Sequence, residues 1–102
     1  MWEEGRGLTG YWKMLLCKLS FFDTYLIYYP PGSQIKTHVD PVQKGYEHFR
    51  ANFLLKGEDA YVGDYLFKFW RLVVFRPDIM PHSVKEVLSE RYVLSFGFMK
   101  EE

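Results

Sequence analysis

Tyr28-Tyr29-Pro30-Pro31-Gly32-Ser33-Gln34-Ile35-Lys36-Thr37-His38-Val39-Asp40 decides how the chain is read. An aromatic strand stops at Pro-Pro-Gly, because proline cannot donate a ladder hydrogen bond and glycine takes the turn. A second strand, Gln34 to Asp40, then ends in His-x-Asp. Residues two apart on a strand face the same way, so His38 and Asp40 can offer an imidazole and a carboxylate to one point. A downstream stretch, Arg76-Pro77-Asp78-Ile79-Met80-Pro81-His82-Ser83-Val84, brings another histidine at the head of an apolar strand. Two imidazoles and one carboxylate are the donor set that suits non-heme Fe(II) while leaving coordination positions open.

Outward from this pair, the remaining segments read mostly as short strands. Before it, Leu8, Tyr11, Trp12, Leu15, Leu16 and Leu19 recur at three- and four-residue steps, which predicts an amphipathic helix over about 9–19. Phe22–Tyr29 is aromatic and β-branched, a buried strand. Tyr46–Lys56 alternates, with His48, Arg50, Asn52 and Leu54 on one face and Phe49, Ala51, Phe53 and Leu55 on the other. Short strands follow at Ala60–Val62 and Tyr65–Trp70, paired as a hairpin across Gly63-Asp64. Arg71–Phe75, His82–Val87 and Arg91–Met99 complete the set, with no βαβ rhythm and no internal repeat. One helix followed by about eight short strands predicts an antiparallel sandwich or jelly roll.

Composition narrows the function classes. The chain has 102 residues, 48% of them hydrophobic and 20% aromatic, so one domain spanning 1–102 with a β core over about 22–100 is expected. Thirteen basic and thirteen acidic residues cancel, which removes the electrostatic case for nucleic acid or an anionic membrane. Lys36, Lys44, Arg50, Lys56, Lys68 and Arg71 are scattered and are read as solvated positions. The single Cys17 rules out an internal disulfide and fits a reducing compartment. No apolar run approaches a membrane span, and Glu3 and Glu4 do not suit a signal peptide, so a cytoplasmic location is expected.

A dicarboxylate cosubstrate that chelated such a metal would need a cation at the far end of its pocket. Arg91 opens the final strand, and its planar fork pairs with both oxygens of a carboxylate. Val93, Ser95 and Gly97 share its face, so Ser95 can add a hydroxyl contact. Trp70, Phe69, Trp2, Tyr11 and Trp12 are read as packing residues, and His48 as an ordinary core or surface histidine.

Taken in order, Tyr29-Pro30, His38-Val39-Asp40, Arg50-x-Asn52, Pro81-His82-Ser83-Val84 and Arg91-Tyr92-x-Leu94-Ser95 resemble the 2-oxoglutarate/Fe(II)-dependent oxygenases, in their prolyl 4-hydroxylase-like branch with its small bacterial and phage-type members. The resemblance spans roughly Tyr25 to Phe98. It implies an all-β, cupin-like double-stranded β-helix. It also implies hydroxylation of a prime substrate by O2 while 2-oxoglutarate is split to succinate and CO2. His38, Asp40 and His82 would hold Fe(II), Arg91 the distal carboxylate, and Tyr29, Ser95 and Asn52 would line the cosubstrate pocket. The chain departs from the family in having Tyr61-Val62-Gly63-Asp64 where a Gly-Gly pair is common, and in its short length. The prime substrate, a peptidyl side chain or a small molecule, is left open. A non-catalytic jelly-roll binding module with a structural or vestigial metal site is the alternative. Nucleobase demethylation ranks below both for want of a basic stripe.

Overall fold

The computed structural model describes residues 2–4, 10–40 and 44–101, and among these every regular element is a strand. In chain order they are β1 (Trp2–Glu4), β2 (Trp12–Leu19), β3 (Phe22–Tyr29), β4 (Ile35–His38), β5 (Tyr46–Lys56), β6 (Tyr61–Gly63), β7 (Phe67–Phe69), β8 (Leu72–Phe75), β9 (His82–Val84) and β10 (Arg91–Glu101). All pair antiparallel. One sheet runs β1-β2-β3-β10-β5-β8-β7, and a smaller one runs β4-β9-β6. This is the double-stranded β-helix, or jelly roll.

The interior comes from alternation along β10, where Arg91, Val93, Ser95 and Gly97 are buried and the residues between them are less so. Val93 meets Tyr29, Leu54, Ala60, Val84 and Val87 in a buried cluster, and Ile27 and Ile35 pack against it. Tyr11 joins the cluster by stacking on Tyr29 with ring centroids 5.4 Å apart. At the opposite end of β5, Arg76 bridges Glu47 at 2.9 Å and Asp78 at 2.7 Å.

Several expectations change. Over the described part of 9–19 the chain is strand β2 rather than helix, zipped to β3 from Trp12↔Tyr28 to Leu19↔Phe22. A two-residue turn at Ser20-Phe21 makes that pairing local. Trp12, Leu15, Leu16 and Leu19 are exposed, so their helix-like spacing marks no buried face. Leu8 and Thr9 lie outside the described residues. The strand after Pro-Pro-Gly ends at His38, so Asp40 is not on it. The two short strands around Gly63-Asp64 are not a hairpin, because β6 pairs β9 and β7 pairs β8 in different sheets. Phe69 and Trp70 are 68% and 76% exposed, on an edge strand and its turn, and not core.

Candidate metal centre

His38 and His82 are directly opposite each other in the β4–β9 pair. In each case the ring Nδ1 lies against the carbonyl two residues upstream, Lys36 O at 2.7 Å and Met80 O at 2.9 Å. A carbonyl only accepts, so each Nδ1 donates, which fixes the tautomer and leaves the Nε2 lone pair pointing away from the backbone. Asp40 sits just beyond β4, its N–H donating to Pro77 O at 2.6 Å. Its Oδ1 is 3.6 Å from His38 Nε2 and its Oδ2 is 3.5 Å from His82 Nε2. All three ligand atoms fall within 4.8 Å of one another. Donors bound at about 2 Å to one ion stand about 3 Å apart in neighbouring positions, so a small inward adjustment accommodates a divalent metal. Two imidazoles, a carboxylate and carbonyls behind both rings fit such an ion.

Packing holds His82 in place. Phe75 and Tyr61 lie 5.0 and 6.4 Å from its ring, centroid to centroid. Gly63 is its register partner on β6, with φ of 142°. A Cβ there would stand 2.5 Å from Pro81 O and 2.9 Å from His82 Cα. The one glycine that remains of the expected pair is therefore what lets β6 close on β9.

The three ligands open into a cavity of about 280 Å³ between the sheets. Ser95 and Asn52 line it and bond each other, Ser95 Oγ donating to Asn52 Oδ1 at 2.5 Å and accepting from Arg50 at 2.6 Å. Arg91 lines a smaller pocket that shares Tyr29, Asn52, Tyr61 and Val84 with the cavity. Its Nε donates to Glu58 O at 3.1 Å, and its guanidinium lies 4.7 Å over the Tyr29 ring. One of its terminal nitrogens, Nη1, is buried without a hydrogen-bond partner. A buried donor left unpaired is costly, and a ligand carboxylate would satisfy it. Burial pushes the Tyr29 hydroxyl up to about 12 despite Arg91 beside it.

The sequence pattern suggested a solvated Arg50 and an ordinary core or surface His48, and the structure gives both more to do. Arg50 is not solvated: it holds Asp23 Oδ1 at 2.7 Å with its side chain 16% exposed, and Gly97 is what makes room for it. Arg71 is likewise tied down, its Nε donating to Leu54 O at 2.7 Å. His48 lines the cavity, and its Nδ1 is buried without a partner. Burial, with Arg50 nearby, holds its pKa below the ordinary histidine value, so the ring is neutral at pH 7. The signal was in the alternation of β5, since Leu54 is core and His48, Arg50 and Asn52 share its face.

No family model matches the chain, and no curated protein matches it in sequence. Solved structures do. The Schizosaccharomyces pombe Cnp3 cupin domain superposes with a TM-score of 0.71 at 12% identity, over 98% of this chain and 69% of that one. An RmlC-like cupin from Desulfovibrio desulfuricans gives 0.64 at 19% identity, over 84% and 79%. A Pseudomonas putida prolyl-4-hydroxylase gives 0.59 at 22% identity, over 79% of this chain and 52% of the hydroxylase, so the match takes in about half of that enzyme. Likeness at these identities establishes the cupin-type fold.

Proposed function

We propose that the protein is an Fe(II)- and 2-oxoglutarate-dependent dioxygenase that hydroxylates a peptidyl side chain or a small molecule, releasing succinate and CO2. The observation that carries this reading is the convergence of His38 Nε2, His82 Nε2 and the Asp40 carboxylate at the mouth of a cavity whose adjoining pocket holds an unpaired Arg91 nitrogen. The shared fold with a prolyl-4-hydroxylase supports it.

His38, Asp40 and His82 hold Fe(II), which supplies the redox chemistry that O2 requires. The other residues bind and orient. Lys36 and Met80 carbonyls keep both imidazoles in the metal-binding tautomer. Arg91 takes the distal carboxylate of 2-oxoglutarate, stacked against Tyr29 so that its fork is preset. Tyr29 stays protonated and offers a hydroxyl contact, and the Ser95–Asn52 pair lines the wall between. Within this reading the chain acts as one domain in the cytoplasm, on substrates other than nucleic acid. The test is binding: the Arg91→Ala protein should keep its metal and lose about ten- to a hundred-fold in 2-oxoglutarate affinity, the worth of a charge-assisted pair. Unchanged cosubstrate affinity would contradict the assignment of Arg91.

A further inference from the structure

A second cleft, of about 200 Å³, reaches the same centre from outside the barrel. Its rim is the β2–β3 turn and the far part of β10, tied together by Met99 N–H donating to Phe21 O at 2.8 Å. Leu19, Phe21, Phe22, Phe98 and Met99 form its apolar walls. Phe21 and Phe98 are half exposed, and each is held by an aromatic neighbour, Tyr46 at 5.6 Å and Phe49 at 5.2 Å. Asp40 and His48 are the two residues that line both this cleft and the triad's cavity among those near the metal ligands. His48 therefore stands where the cleft meets the centre. Its backbone is fixed by β5 pairing with Met99 and by its N–H, which donates to the buried Asp78 carboxylate. Its Nδ1 is left unsatisfied.

We propose that this cleft is the subsite for the prime substrate, and that it takes an uncharged molecule or chain segment with an apolar body and an amide, which hydrogen-bonds His48 Nδ1. The proposal rests on the metal-centre reading for its role but not for its binding chemistry. The walls are apolar, and the Asp40 carboxylate on the lining already faces both His38 and His82, so a charged occupant would be desolvated without an opposite partner of its own. The Asp23 carboxylate at the cleft edge already holds Arg50, and Lys18 is exposed to water. An amide suits a neutral imidazole because it both donates and accepts, so either tautomer of His48 is served. His48 would position the substrate, leaving the metal to the other three ligands.

The experiment uses the full chain, metal-free and labelled with 15N in its histidines, titrated with N-acetyl-4-fluorophenylalanine amide. The expected result is a saturable shift of the His48 ring nitrogens and of the probe's 19F line. His48→Phe should weaken binding about five-fold, the worth of one neutral hydrogen bond, and His48→Gln should recover most of it. Phe21→Ser, in the exposed turn, should weaken it as well. Equal binding of N-acetyl-lysine amide, unmoved His48 nitrogens at saturation, or unchanged affinity in both His48→Phe and Phe21→Ser overturns the proposal. Mn(II) is then added, and it should broaden the 19F line of the bound probe. Probe binding through His48 with no broadening would count against the metal centre and leave the cleft standing. Mn(II) bound in wild type but not in Asp40→Ala, with no probe effect at His48, would do the reverse.

Discussion

His38 and His82 of the candidate centre are oriented by the same short device, a ring nitrogen bonded to the carbonyl two residues earlier, on strands that pair with each other. Removal of any one donor leaves two, so Asp40→Ala and His82→Ala should each abolish stoichiometric Co(II) binding, read from the visible absorption of the bound ion. Retained binding in either would show that the ion sits elsewhere. Tyr29 gives a pH signature. Burial raises its hydroxyl to about 12 from 10.0, so the folded state favours the neutral phenol. That stability is whole below pH 10 and is lost as the pH rises towards 12, by about 2–3 kcal/mol in all. Tyr29→Phe should flatten this part of the melting profile, and an unchanged slope between pH 10 and 12 would contradict the assignment. Sequence pattern picked out His38, Asp40 and His82, whose ligand atoms the fold brings within 4.8 Å of one another, because donor chemistry and spacing are local properties. Alternation along β5 put His48 on the same face as Leu54, but whether its Nδ1 finds a hydrogen-bond partner is decided by tertiary packing and not by local pattern.

Strand β6 is short, and its closeness to β9 depends on Gly63. Gly63→Ala would add both a strained φ and a contact with the Pro81 carbonyl. The variant should lose about 1–3 kcal/mol in a denaturant melt and bind Co(II) more weakly, because His82 must shift with Pro81. A variant as stable as wild type would mean that the β6–β9 approach is not tight. Element by element, Phe22–Tyr29 and Tyr46–Lys56 match the sequence reading end to end. Aromatic and β-branched residues favour the strand in Phe22–Tyr29, and an eleven-residue two-faced alternation marks Tyr46–Lys56. The stretch 9–19 misleads because its leucines fall at helical steps while pairing with β3 across a tight turn decides the conformation. Trp70 misleads too: it is a turn residue at φ 55° in the β7–β8 connection, where bulk and hydrophobicity carry no information about burial.

At the scale of the whole molecule, two antiparallel sheets flank a cavity lined by His38, Asp40 and His82, so a metal held by the three would link its binding to fold stability. A divalent ion held at a hundred times its dissociation constant adds about 2.7 kcal/mol. In a chain of this size that raises the melting temperature by about 10–20 °C. Asp40→Ala should melt at the same temperature with and without Co(II). An antiparallel sandwich or jelly roll was legible because strand spacing and turn signals accumulate along the chain, and the resemblance narrowed it to a cupin-like fold, whereas the split of β6 and β7 into different sheets is a long-range choice that no local signal announces. The convergence of His38, Asp40 and His82 on one ion is checked by adding Fe(II) and 2-oxoglutarate under anaerobic conditions and recording the visible spectrum. A weak charge-transfer band that needs both components and vanishes in Asp40→Ala is the predicted result. A wild-type protein that binds neither, or a band that survives in Asp40→Ala, would contradict it.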